Sequence, residues 1–68
     1  MDRAYLDKLF AYQHLPPHLQ EVSKPFYNLA VNLHTTLLAS PDLTIALRKL
    51  LEAKDAAVRA RVLWGDNI

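Results

Sequence analysis

Cysteine is absent from this 68-residue chain. That excludes disulfides, thiolate metal sites, thiol nucleophiles and CxxC redox pairs. Glycine is almost absent as well, with Gly65 alone, so no glycine-built phosphate cradle of the P-loop or GxGxxG kind is possible. An excess of one charge is also lacking. Eight Lys+Arg stand against seven Asp+Glu, a net +1. Duplex-DNA binders carry a much larger basic excess, so duplex DNA is not the expected ligand. No apolar run approaches bilayer length, and Asp2 and Asp7 lie in the first stretch. The sequence therefore predicts neither a membrane span nor a signal peptide, and a cytoplasmic protein. What is present is a folding composition, 51% hydrophobic and 22% charged, enough for one domain over residues 1–68. So short a chain buries only about 60% of the surface that its unfolded form exposes. Small domains compensate with disulfides, metals or oligomerisation. With disulfides closed, self-association is the expectation.

Strand signals are missing, since there is no sustained period-two alternation and no Asn-Gly or Asp-Gly turn. The chain reads as all-α, in three helical pieces. Asp2 to Tyr12 carries Tyr5, Leu6, Leu9, Phe10 and Tyr12 on a short amphipathic helix. His14-Leu15-Pro16-Pro17 stops it, because each proline pushes its predecessor out of the α region. Pro17 suits the first turn of a second helix, predicted from about Pro17 to Leu38. At about 100° per residue, Leu19, Val22, Phe26, Leu29, Ala30, Leu33 and Leu37 share one face, with Glu21, Asn28, Asn32 and Thr35 opposite. Pro25 lies inside it and predicts a bend.

Ser40-Pro41-Asp42 has the residues of a helix start: a cap, a first-turn proline and an acid at the positive end. The third helix is predicted to run from there to about Leu63, with Gly65 as its C-cap. A short loop between two long helices predicts an antiparallel hairpin. The apolar residues of the third helix cover an arc of roughly 200° at 100° per residue. One partner helix covers about half of that, so the remainder is expected to meet another subunit. The opposite side pairs Arg48 with Glu52 and Asp55 with Arg59 at i,i+4, a solvated ladder. Lys54 and Arg61 interrupt the apolar arc. They read either as cations snorkelling or salt-bridged at an interface, or as the rim of an inter-subunit anion pocket.

Catalytic and metal chemistry find little support. His14 and His18 are four apart but separated by two prolines, and His34 is distant, so no metal site is predicted. Ser23 and Ser40 read as helix caps, and no Ser–His–Asp spacing has structural support. Glu52 and Asp55 share an exposed face with arginines, the wrong setting for a raised pKa. No enzyme activity and no cofactor are expected. The remaining constellation is aromatic and basic: Tyr12, Lys24 and Tyr27 gather around the predicted bend. Tyrosine rings stack on nucleobases and lysines neutralise phosphates, although tyrosines flanking a core are common.

Phe10-Ala11-Tyr12-Gln13-His14, then Ser40-Pro41, then Ala46-Leu47-Arg48-Lys49-Leu50-Leu51-Glu52-Ala53-Lys54-Asp55-Ala56-Ala57-Val58-Arg59-Ala60 resembles a small helical-hairpin family of phages and prophages. That family comprises the anti-CBASS cyclic-nucleotide sponges, and a class of Thoeris anti-defence proteins shares its hairpin. The resemblance spans roughly residues 10–63. It implies a non-enzymatic trap in the host bacterial cytoplasm. Such hairpins assemble into compact oligomers, commonly hexamers, and hold cyclic dinucleotides between protomers, with cyclic trinucleotides at separate sites in some. The family's base-stacking tyrosine maps onto Tyr12. Its basic residue fifteen positions later maps onto Tyr27, a departure, with Lys24 one turn earlier as the replacement charge. Lys54 and Arg61 are reserve anion contacts. The rival expectations are a helical module that binds a host protein through its apolar arc, and a small helix-turn-helix DNA binder. Against the DNA binder stand the low net charge and the long helices.

Overall fold

The computed structural model describes residues 1–65. It is all-helical over those residues: α1 spans Arg3–Leu9, α2 Pro17–Thr36 and α3 Pro41–Trp64. The 24 residues of α3, at about 1.5 Å each, account for most of the 40 Å long dimension.

Side-chain chemistry at the helix starts explains where they begin. Asp2 caps α1, its Oδ1 accepting the Tyr5 N–H at 2.7 Å. Pro17 opens α2 behind Pro16, whose carbonyl accepts the N–H groups of Leu19 and Gln20. Ser40 caps α3 as expected, its Oγ accepting the Leu43 N–H at 3.1 Å, with Pro41 and Asp42 in the first turn. Gly65 is the C-cap of α3 in right-handed geometry (φ −62°, ψ −28°), so the left-handed freedom of glycine is not used there.

Two ends fall short of the sequence expectation. α1 stops at Leu9, not Tyr12, because Phe10 turns out of the helix (φ −104°, ψ 12°) with its ring completely buried. The following loop closes on itself, with the Leu15 N–H donating to the Tyr12 carbonyl. The Gln20 amide clamps it from α2 by donating to the carbonyls of Gln13 and Leu15. α2 stops at Thr36, not Leu38. The Thr35 and Thr36 hydroxyls donate back to the Val31 and Asn32 carbonyls, and Leu37 is already extended, as the chain needs to be to enter the Ser40 cap. Helix α2 is continuous across Pro25. Both Pro25 and Glu21 are exposed, so the carbonyl that proline cannot serve lies on the water side.

Leu6 and Phe10, from α1 and its end, meet Ala30 of α2 and Leu43 and Leu47 of α3 in the buried core. Ser23 of α2 is also completely buried. Phe26, Tyr27, Leu33, Leu50 and Leu51 pack around this centre. The last turn of α3 returns to the first turn of α2, where Arg61 Nη1 donates to the His18 carbonyl at 3.3 Å. The α2 face is rotated from the predicted one. Its buried line runs through Ser23 and Ala30, flanked by Tyr27 and His34, while Leu29 is 47% exposed. The cause is α1, which covers α2 from the Tyr27 side. Leu29 lies about 110° around the helix from the Ser23–Ala30 line.

Candidate functional site

Tyr12 and Tyr27 come together. Tyr12 sits in the loop after α1 and Tyr27 in the middle of α2, with ring centroids 5.5 Å apart and planes at 60°, an edge-to-face pair. That geometry suits the positive edge of one ring and the negative face of the other. The Tyr27 hydroxyl is fixed from the other side by α1. It donates to Asp7 Oδ1 at 3.0 Å and accepts from Arg3 Nη2 at 3.3 Å. Arg3 Nε closes the triangle by donating to Asp7 Oδ1 at 2.9 Å. Arg3 and Asp7 can meet because i and i+4 share one helix face.

This triangle sets the local electrostatics. Its hydrogen bond to Arg3 holds the Asp7 carboxyl below its ordinary range, helped by the Tyr27 hydroxyl and by His34 nearby, against an opposing effect of burial. The Arg3 guanidinium is correspondingly held above its ordinary value by Asp7 and Tyr27. A carboxyl shifted downward is the reverse of what a general acid requires. What the arrangement offers instead is a fixed aromatic pair beside a guanidinium. Two of the five N–H donors of that guanidinium are used within the triangle, leaving three for an outside acceptor.

Lys24 is exposed on α2, about 60° around the helix from Tyr27, with no ion-pair partner among the described residues. Lys54 and Arg61 lie elsewhere. Leu47, Lys54 and Arg61 follow one line of α3 at seven-residue steps. The first is buried in the core, and the two cations reach backbone carbonyls of the helices that cover them. Lys54 Nζ donates to the Leu9 carbonyl at 3.1 Å and pairs with Asp55 at 3.0 Å, its side chain only 14% exposed. It thus serves one of the carbonyls left open at the end of α1. Arg61 ties α3 to the start of α2. The structure therefore brings Tyr12 and Tyr27 together with Lys24 nearby, and sets Lys54 and Arg61 apart as ties between helices.

Sequence reasoning missed Arg3 and Asp7. Their i,i+4 spacing was visible, but their target, Tyr27, lies 24 and 20 positions away. The predicted ladder on α3 is also replaced. Its ion pairs are Lys49–Glu52 at 3.8 Å and Lys54–Asp55, in place of Arg48–Glu52 and Asp55–Arg59. His34 Nε2 lies 3.1 Å from the Met1 carbonyl, while His14 and His18 are exposed. Among the described residues no three metal-ligating side chains gather. No family model matches the chain, and neither a curated protein nor a solved structure does.

Proposed function

We propose that this protein is a non-enzymatic sponge. It sequesters a signalling cyclic oligonucleotide, a cyclic dinucleotide or trinucleotide, and so blocks a nucleotide-activated antiphage defence in the bacterial cytoplasm. The observation that carries the reading is the Tyr12–Tyr27 pair with Arg3 bonded at its edge. Aromatic rings stack on any base, and a guanidinium with free donors suits a phosphodiester. Lys24 adds an unpaired charge on the same side of α2. Arg3 fills the role for which the resemblance implies a basic residue at position 27.

The assembly belongs to the same proposal. α2 and α3 form an antiparallel hairpin, and copies associate through these long helices into an even-numbered oligomer, with the hexamer favoured by the resemblance. The exposed apolar side chains on α3, namely Ile45, Val62, Leu63 and Trp64, each more than half exposed, support this. A rotation axis between copies would set the aromatic pair of one protomer near that of its mate, matching a ligand with near-twofold symmetry.

The test is a thermal-shift screen of the purified protein against a panel of cyclic dinucleotides and trinucleotides. A tight ligand at about a hundred times its Kd stabilises the folded state by about 2.7 kcal/mol. A rise in Tm with at least one member supports the sponge. No rise with any member favours a second reading, a helical module that binds a host protein. The observation for that module is the groove of about 470 Å³ at the end of α3, lined by Val22, Ala57, Ala60, Arg61 and Trp64.

A further inference from the structure

A second recess lies between α1 and α3, on a different set of side chains from the tyrosine pair. It has a volume of about 290 Å³ and is lined by Met1, Tyr5, Leu9, Thr44, Arg48 and Leu51. Two helix rows build it. Tyr5 and Leu9 are four apart on α1, and Thr44, Arg48 and Leu51 lie at steps of four and three on α3, so each row shares one face. Met1, Leu9 and Leu51 pack on the buried core, which gives the recess a fixed apolar floor. Tyr5 is 55% exposed at its edge. Arg48 is the one charged side chain that lines it, with no ion-pair partner among the described residues, and no carboxylate side chain lines it.

We infer that this recess binds a small organic oxyanion with a flat apolar body, an aromatic carboxylate or phosphate ester. Small-ligand sites are mostly apolar concavities with a few placed polar groups, and this volume falls just below their usual range, which suits a small ligand. The Arg48 guanidinium takes the oxyanion through paired N–H donors, a geometry that both carboxylate and phosphate match. Tyr5 packs against the flat body, and the floor excludes water beneath it. The Thr44 hydroxyl donates to the Ser40 carbonyl, so its oxygen faces a ligand only as an acceptor. This favours a ligand that keeps its anionic end at Arg48. The inference is independent of the cyclic-nucleotide reading, because Tyr12, Lys24 and Tyr27 take no part in it.

The experiment is an amide chemical-shift titration of the isotope-labelled protein with indole-3-acetate, phenyl phosphate and, as a neutral comparator, indole-3-acetamide. The expected result is saturable shifts at Tyr5, Thr44 and Arg48 with at least one of the two anions. That anion should bind about tenfold more tightly than the neutral amide, the scale for one charge-assisted contact. Which anion binds more tightly assigns the carboxylate or the phosphate. Arg48→Ala, at an exposed position that leaves the core intact, should weaken binding by about tenfold, and Lys24→Ala should leave it unchanged. Four results overturn the inference: no saturable shift up to millimolar ligand, shifts confined to the Tyr12–Tyr27 side, equal binding of the neutral amide, or Arg48→Ala binding like wild type.

Discussion

Ser23→Ala should make this protein more stable, against the usual direction of a core substitution. Ser23 is completely buried, and its Oγ has no hydrogen-bond partner. A buried hydroxyl without a partner costs about 1–3 kcal/mol of lost hydration. Removing one oxygen leaves too little space for a cavity term of consequence, and alanine is the better helix former by a few tenths of a kcal/mol. The expected gain is therefore about 1–3 kcal/mol. For a domain of this size each kcal/mol moves Tm by about 4–8 °C. The assay is thermal unfolding of both proteins at equal chain concentration, because association makes Tm concentration-dependent. Ser23→Leu in the same experiment should destabilise, since the Ser23–Ala30 line has no room for added methylenes. A fall in Tm for Ser23→Ala would mean that the hydroxyl has a partner, and the packing of α2 on its neighbours would have to be redrawn.

Three further outcomes follow from the ties around the core and the site. Asp7 holds its proton less readily folded than unfolded, so its contribution to stability is complete above the ordinary carboxylate value of 3.8 and is lost as pH falls through its lower folded value; Tm measured against pH should lose less on acidification for Asp7→Asn than for wild type, and parallel curves would refute this. Lys54→Met keeps the side-chain stem but removes the donor to the Leu9 carbonyl; a loss of about 1–2 kcal/mol is expected, with faster hydrogen exchange at the Leu6 and Phe10 amides and none at mid-α3, whereas unchanged exchange would contradict the tie. Ala57→Glu places a carboxylate on the half-buried face of α3 that lines the terminal groove; sedimentation should show a stable oligomer for wild type and smaller species for the variant, and a folded wild-type monomer at micromolar concentration would end the assembly proposal.

Local chemistry was the legible part of this fold. The prolines, the Ser40 cap and the Asp42 charge act over three or four residues, so the starts of α2 and α3 could be read directly from the sequence. The third helix was legible to within a residue at its end. Tertiary effects were not. Phe10 leaves α1 early because its ring is drawn into the core, and α2 turns its Ser23–Ala30 line inward because α1 covers one side of it. A hydropathy wheel has no means of weighting a neighbour that is not yet placed, so it favoured Leu29, and it included Leu37, which lies past the end of the helix. The site divides in the same way. Tyr12 and Tyr27 were named from residue type, and they meet. Arg3 and Asp7 were not named, since a surface i,i+4 pair gives no sign of the tyrosine it serves. Lys54 and Arg61 stood out as cations interrupting an apolar arc, but what they reach is carbonyl oxygen of their own chain, and no sequence pattern marks a helix-end carbonyl as a target.

On the proposed function, the Tyr12–Tyr27 face holds a cyclic oligonucleotide without altering it. Calorimetric titration of wild type, Tyr12→Ala and Lys24→Ala with the strongest ligand of the thermal-shift panel tests it most directly. Saturable binding by wild type is expected, weakened by about 1–3 kcal/mol in Tyr12→Ala through loss of one stacking platform. Lys24→Ala should bind more weakly, with reduced salt sensitivity because a phosphate contact has gone. The nucleotide should be recovered chemically intact from the denatured complex. Equal affinity in all three proteins, or a hydrolysed nucleotide, would contradict the proposed function.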